Sequence, residues 1–389
     1  MRITFFMTAD LRVGRGTEKV LFYLLKYKPE NIDVTTVSND NMGNNPILIA
    51  DSEIKELTKN SRIINIHRIK MSINENNKLL KIYKNLFFKP EIRTFKNVDK
   101  TTLKEIRDTD VVYLFANEFS VFFSGLNIPI IGSMHTFNLV KLENNNIFRK
   151  IYFHFVYSIY FKNINVFNLF KADPALMDKL KKNFKVKKIM VLPPGVDASF
   201  FYPDYNVNNK NIKFLFIASL VAEKGLDILL PLIDKMDNNN VEFHIAGGGE
   251  LADKIKTNKR IIYHGILNDT DLAKLYRECD IFIYPSHADT FSLVTLQALS
   301  SGLYVMCSDY LKGNFDDFEN KYLEYLPLNL DIWYKRVTEV INNRNIIKHD
   351  KSEEYSYVKD NYDWPVISKK FYDYMIEYYN ESKGITDES

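Results

Sequence analysis

The chain has few cysteines, little net charge and no long apolar run. Only Cys279 and Cys307 occur among its 389 residues. Each lies in or beside an apolar stretch, and the two form no metal-spaced pair. Buried thiols in a reducing compartment are therefore expected, not a disulfide scaffold. The formal net charge is +3, too close to neutral for nucleic-acid binding across a whole domain. No run reaches the ~18 apolar residues of a membrane-spanning helix. The apolar start from Met1 to Met7 is too short for the apolar core of a signal peptide. These absences lead to the expectation of a cytoplasmic protein, either soluble or peripheral on the inner face of the membrane. The seven histidines form no i, i+4 pair or cluster, so no metal site is expected. Internal repeats and low-complexity tracts are missing too.

What remains is ordinary globular material. Hydrophobic residues make up 46% and charged residues 26%, enough to bury a sizeable core. The length suits two domains of roughly 150–200 residues. The 24 Tyr and 28 Phe rise together with Lys, Asn and Ile, a drift of composition that carries no functional message.

Strands alternate with helices along the chain. In the first half, strands are expected at 3–7, 32–37, 111–115, 128–133 and 166–169. A helix over 17–26 brings Val20, Leu21, Leu24 and Leu25 to one face. The segment Leu192-Pro193-Pro194-Gly195 reads as a rigid junction. The alternation then restarts, with strands at 214–218, 241–246, 261–264, 281–284 and 303–307. Helices are expected over 225–235, 271–277 and 291–301. Such alternation implies parallel sheets with crossover connections. Trp364-Pro365 suits the start of a final helix over 363–379. The expected division is 1–193, 194–362, and a last helix, 363–389, returning to the first domain.

In open parallel sheets ligands sit beyond the carboxyl ends of strands, and four groups of residues fall there. Gly14 and Gly16 flank Arg15 after the first strand and precede a helix. That makes an anion site or simply a tight turn. Lys224-Gly225 follows the first strand of the second half. The lysine could neutralise a diphosphate or be merely solvated. Tyr284-Pro285-Ser286-His287-Ala288-Asp289-Thr290-Phe291-Ser292 leads from a strand into the helix bearing Gln297. Asp289 or Thr290 is the expected N-cap, and the amides of Phe291, Ser292 and Leu293 are free for phosphate oxygens. Gln297 lies two turns beyond Asp289, so both are expected to face one cleft. His135 ends an apolar strand, where it meets either a ligand or only the core.

Together these segments resemble the family-4 retaining glycosyltransferases of the GT-B fold. The resemblance is clearest from Val191 to Cys307. Leu192-Pro193-Pro194-Gly195-Val196-Asp197 is similar to the family's N-P-x-G-V-D segment. Ser219 through Lys224-Gly225 is similar to R-x-x-x-x-K-G, Ala246-Gly247-Gly248-Gly249 to the glycine-rich loop, and Tyr284 through Gln297-Ala298 to the block P-S-x-x-E-x-F-G-x-x-x-x-E-A. Gly16-Thr17-Glu18 resembles the family's G-G-x-E turn. The resemblance implies two Rossmann-like parallel-sheet domains facing a cleft that holds a nucleotide sugar such as a UDP- or GDP-sugar. It implies that Gly14 and Gly16 approach the diphosphate and that Lys224 neutralises it. Ser219, Gly248 and Gly249 would line the donor site. The loop Asp289-Thr290-Phe291-Ser292-Leu293 would hold sugar and phosphates, Gln297 the ribose, and His135 the sugar from the opposite wall. The implied enzyme is a metal-independent retaining hexosyltransferase needing no cofactor, with Asp289, His135 and Lys224 as catalytic residues. Three family charges differ here. The arginine is Ser219, the first glutamate is Asp289, and the second is Gln297.

The expected acceptor is a glycan, a lipid-linked molecule or a protein. Two basic, aromatic stretches, 78–89 and 148–157, are amphipathic helix candidates. Each either packs on the sheet or contacts a membrane surface. Two other readings stay open. One is a catalytically weak nucleotide-sugar-binding relative or partner subunit, suggested by Ser219 and Gln297. The other is a GT-B enzyme of another reaction type, such as an epimerase or phosphorylase.

Overall fold

A computed structural model describes residues 1–7, 11–13, 16–39, 49, 51–57, 59, 61–66, 100–136, 147–207, 209–236 and 240–384. Gly14, Arg15 and the stretch 78–89 lie outside the described residues. The chain divides into two compact units. One comprises Met1–Leu192 with Ser368–Ser389, and the other Pro193–Ile367.

The first unit carries, in order, β1 (Arg2–Phe6), α1 (Thr17–Lys26), β2 (Asp33–Asn39), α2 (Asp51–Leu57), β3 (Ser61–Ile66), α3 (Lys100–Arg107) and β4 (Val111–Leu114). Then come β5 (Ile130–Ser133), α4 (Ile147–Phe161), β6 (Val166–Leu169), α5 (Pro174–Phe184) and β7 (Lys188–Val191). The sheet order is β3-β2-β1-β4-β5-β6-β7, and its paired strands are parallel. Every side chain of β4, β5 and β6 is buried, as befits strands covered on both faces.

The second unit carries β8 (Ile212–Ile217), α6 (Leu226–Lys235), β9 (Val241–Ala246), α7 (Ala252–Thr257), β10 (Ile261–Gly265), α8 (Asp269–Glu278) and β11 (Ile281–Tyr284). It continues with α9 (Leu293–Ser300), β12 (Tyr304–Ser308), β13 (Leu323–Leu326), α10 (Leu330–Asn342) and α11 (Lys351–Tyr362). Its sheet order is β10-β9-β8-β11-β12-β13. Helix α12 (Trp364–Lys383) begins with this unit and continues in the first.

Each unit is thus a Rossmann-like parallel α/β layer, as the alternation predicts. Three strands escaped the sequence reading: β3, β7 and β13. All three are edge strands. An edge strand needs no continuous apolar run, and β7 indeed exposes both of its ends.

Within the first unit, α12 covers the sheet. Phe371 stacks on Phe5 with centroids 5.9 Å apart, and it meets Tyr113 edge-on at 5.1 Å. Tyr372 donates its hydroxyl to the Leu24 carbonyl at 2.7 Å. That carbonyl lies in the last turn of α1, where no helical N–H reaches it. Burial pushes the Tyr372 phenol far up, so it stays a donor.

The second unit buries an ion pair. His349 Nε2 lies 2.7 Å from Glu354 Oε2, with side-chain exposures of 5% and 0%. Burial pushes the Glu354 carboxyl up to about 7. Glu354 in turn holds the His349 imidazole above its ordinary range, against the opposing effect of burial. Both shifts mean that the folded chain binds protons more tightly than the unfolded chain. Their contribution to stability is therefore present at low pH and is lost as pH rises through the raised values, about 7 for Glu354. The unfolding midpoint in urea is expected to fall from pH 6 to pH 8, and the fall to shrink in Glu354→Gln. His349→Ala removes the partner that lowers the Glu354 pKa, so the carboxyl stays protonated and loses its buried hydrogen bond, which should cost about 1–3 kcal/mol at pH 7. Equal midpoints at the two pH values would contradict this.

Candidate functional site

In the second sheet the strand order reverses between β8 and β11. Chain leaving β8 goes on to β9 on one side, while β11 goes on to β12 on the other. A crevice at such a reversal is where open α/β sheets bind ligands. Three loops leave the strand ends here: 218–225 after β8, 247–251 after β9 and 285–292 after β11. Ser219, Lys224, Gly248, Gly249, Asp289, Thr290, Phe291, Ser292 and Leu293 all lie on these loops or at the helix start that follows.

Lys224 and Asp289 meet directly. Nζ of Lys224 donates to Asp289 Oδ2 at 2.9 Å and to the Ala288 carbonyl at 3.1 Å. The hydroxyl of Tyr284 donates to the same Asp289 oxygen at 2.8 Å. Tyr284 is 1% exposed. Burial and the adjoining carboxylate drive its phenol well above the usual range, so it stays protonated and donates. Lys224 and Asp289 keep 22% and 17% of their side chains exposed, enough to meet solvent or a ligand. A phosphate arriving there would compete with Asp289 for the ammonium group.

Backbone contacts hold the two loops together. The Glu223 carbonyl accepts from His287 N at 2.9 Å and from Ser286 Oγ at 3.3 Å. The His287 ring lies 2.8 and 3.0 Å from the two carboxylate oxygens of Asp227. Gly225 has φ +83°, and a Cβ there would lie 1.8 Å from the Pro285 carbonyl oxygen. Gly247 has φ +135°, and its Cβ would lie 1.9 Å from the Ala218 carbonyl oxygen. Only glycine permits both the conformation and the approach.

The expected N-cap is corrected. Ser292, not Asp289 or Thr290, caps α9: its hydroxyl accepts from Thr295 N at 3.3 Å. Helix α9 begins at Leu293, further along than expected, because the loop first bends Asp289 back toward Lys224. The capping hydroxyl satisfies Thr295 N and leaves the Leu293 and Val294 amides directed out of the first turn. Thr290 is exposed, and Phe291 is buried against Phe315 with centroids 5.0 Å apart.

Gln297 lies on α9, two turns beyond the loop that carries Asp289. It is 7% exposed, and its Oε1 accepts from Tyr276 OH at 3.3 Å. Tyr276 reaches it from α8. Ser219 is exposed at the end of β8.

In the first unit, Gly16 is the N-cap of α1, with φ +46° and open space where a Cβ would stand. His135 lies in a 3-10 turn, Met134–Thr136, just after β5. Its ring is wedged between Phe115 and Phe170, with centroids 4.7 and 4.8 Å away. Desolvation lowers its pKa to about 3. His135 is thus neutral at pH 7 and offers a hydrogen bond, not a charge. Sequence reasoning missed Tyr284, Asp227 and Gly247 as site-building residues. The strand position of Tyr284 signals burial, and nothing in the pattern says where its hydroxyl ends. Among the described residues no group of three His, Cys, Asp or Glu is arranged to hold a metal ion.

This geometry sits inside a recognisable segment. Residues 199–358 match the family model of glycosyl transferases group 1. An uncharacterised glycosyltransferase of Methanocaldococcus jannaschii is 23% identical over 180 residues, 44% of this chain and 46% of that one. The chain spans less than half the length of the curated relatives it matches. Solved structures match throughout. Sucrose-phosphate synthase from Thermosynechococcus elongatus gives a TM-score of 0.74 at 14% identity, covering 98% of this chain and 99% of that one. HepE of Anabaena, in complex with UDP and glucose, gives 0.69 at 12% identity, covering 97% and 100%. The fold is therefore that of GT-B glycosyltransferases.

The two glycines at the strand ends respond differently to substitution from the one at α1. Gly225→Ala is expected to destabilise the second unit by about 3 kcal/mol or more, since backbone must move. Gly16→Ala meets no atom and should cost only about 1–2 kcal/mol of left-handed strain. Urea unfolding of the two variants side by side checks the order, and a Gly225→Ala variant as stable as Gly16→Ala would refute it.

Proposed function

We propose that this GT-B chain transfers a sugar from a UDP- or GDP-sugar to a glycan, lipid-linked or protein acceptor, with retention at the anomeric carbon. The observation that carries this reading is the convergence of Lys224 and Tyr284 on Asp289 at the strand-order reversal, three residues before the cap of α9. Transfer breaks the bond between the anomeric carbon and the diphosphate oxygen, and the electron pair leaves with the diphosphate. Lys224 answers that charge by exchanging Asp289 for a phosphate oxygen, helped by the first-turn amides at Leu293 and Val294. Asp289, held by Tyr284 when Lys224 departs, then faces the sugar. Neutral His135 supplies a hydrogen bond to the sugar, and the backbone at Gly14, Gly16, Gly248 and Gly249 approaches the donor. The titles of the HepE structures, which name UDP, glucose and UDP-glucose, support a nucleotide-sugar donor. In this reading no metal ion takes part, so turnover should survive EDTA.

A second reading is a weakly catalytic nucleotide-sugar binder. Ser219 supplies no charge where the family pattern has arginine, and the Gln297 oxygen is already engaged by Tyr276.

A thermal-shift panel of UDP, GDP, ADP and their sugar conjugates tests the donor. Ligand at 100 times its Kd should add about 2.7 kcal/mol of apparent stability. No shift with any of them sinks both readings. With the best donor, Lys224→Ala should lower kcat about 10²–10³-fold. Tyr284→Phe should weaken the sugar conjugate more than the bare nucleoside diphosphate, because it loosens only Asp289. Binding with no turnover in the unaltered chain would select the second reading.

A further inference from the structure

The glycine loop after β9 is gripped from two sides. From the β8 side, Leu220 donates its N–H to the Gly248 carbonyl at 2.9 Å and accepts from Leu251 N at 3.0 Å. From the β10 side, Gly247 donates its N–H to the Gly265 carbonyl at 2.7 Å, and the Tyr263 hydroxyl donates to the Gly247 carbonyl at 2.8 Å. Tyr263 and Gly265 flank an irregularity in the sheet. β10 pairs with β9 as Tyr263 with Ile245, and the next pair is Gly265 with Ala246. His264 is the extra residue of a β-bulge, a device that re-aims a side chain and twists the end of a strand. Gly265 follows it with φ +71°.

The bulged side chain is tied down. His264 Nε2 lies 3.0 Å from Nδ1 of His244, and the two rings are within 14° of parallel. His244 is 7% exposed, and its Nε2 lies 3.3 Å from Glu242 Oε2. Asn211 donates to the other oxygen of Glu242 at 2.9 Å and holds that carboxyl below its ordinary range. Glu242 is therefore an acceptor, and this assigns the protons along the chain. His244 Nε2–H donates to Glu242, His244 Nδ1 is left as an acceptor, and His264 Nε2–H fills it. Burial above all lowers both imidazoles, so both rings are neutral at pH 7 and the chain is complete. Twenty residues separate the two histidines in sequence, and only the pairing of β9 with β10 brings them together.

We propose that His264, bonded to His244, and Tyr263 are positioning residues for the glycine loop 247–249. The His264–His244–Glu242 chain fixes the bulge, the bulge fixes the Gly265 carbonyl and the Tyr263 hydroxyl, and these fix the Gly247 peptide on both its N–H and its carbonyl side. Neither residue need touch the ligand. Their effect on a nucleoside diphosphate passes through the backbone of Gly247, Gly248 and Gly249, whose conformation must be set before a phosphate or ribose can approach it closely. The choice of ligand rests on the donor reading, whereas the control of the loop does not.

The test reads the loop and the ligand separately, on the full chain at pH 7.5. Amide hydrogen exchange of the ligand-free protein follows the Gly247 and Leu251 amides, and titration with UDP and with GDP follows binding. His264→Ala and Tyr263→Phe should each speed exchange in the loop about three- to tenfold and weaken the nucleotide that binds by a similar factor. His264→Gln keeps an N–H donor where Nε2 stands, so it should restore both readings to within about twofold of the unaltered chain. The nitrogen resonances should show His244 and His264 as Nε2–H tautomers, and His244 should keep its tautomer in the glutamine variant. Loop exchange unmoved by His264→Ala overturns the proposal. So does a glutamine variant no better than alanine, because the hydrogen bond between the rings would then not be what acts. Faster exchange spread evenly over the second sheet also overturns it, because the ring would then serve general stability. If the loop responds as expected and neither UDP nor GDP binds the unaltered chain, the donor reading alone fails.

Discussion

Gly225 and the Pro285 carbonyl come so close that no side chain fits between them, and the loop arrangement of the second unit depends on that approach. It brings the loop after β8 against the loop after β11. Only then can the Lys224 ammonium reach Asp289, and only then can Glu223 serve both Ser286 and His287. The approach is possible because β8 and β11 are neighbours, with Ile281 and Phe282 in register with Phe214 and Leu215. Sheet topology sets the distance, glycine permits it, and the charged pair forms as a result. The same logic recurs one strand away, where Gly247 meets the Ala218 carbonyl. Both loops are therefore rigid for reasons of backbone sterics, and their side chains are preorganised.

Charges are sparingly used in what this scaffold presents. In the second unit Lys224 pairs with Asp289, and the His287 ring stands against Asp227. His135 is kept uncharged by two phenylalanine rings, Tyr284 by burial, and Gln297 and Ser219 by their nature.

The sequence made the centre of each sheet legible and its rim obscure. Strands β6, β9 and β11 are buried over most or all of their length, and their expected bounds coincide with the observed ones. Strands β3, β7 and β13 sit at edges and are only partly buried, and the short apolar run of β7 ends exposed at Val191. Residue types at the site were legible too, because Lys224, Asp289 and the glycines sit at strand ends where chemistry gathers. Their partners were not. Ser292 displaced Asp289 as cap because a loop bond to Lys224 outweighed local capping preference, and Tyr276 reached Gln297 from a helix that spacing along α9 does not reveal. Long-range side-chain partners depend on which elements pack together, which one-dimensional periodicity does not encode. Gly14 and the stretch 78–89 lie outside the described residues.

The placement of Phe371 and Tyr372 against Phe5, Tyr113 and the end of α1 has a bearing on how the chain comes into being. The first unit is discontinuous: its opening strands emerge early in synthesis, but the helix that covers them follows some 175 residues of the second unit, Pro193–Ile367. During translation the face of β1 is therefore uncovered while the second unit has all of its own elements in hand. The second unit can mature first, and the first closes only when the last helix leaves the ribosome, a reversal of the usual N-terminal-first order.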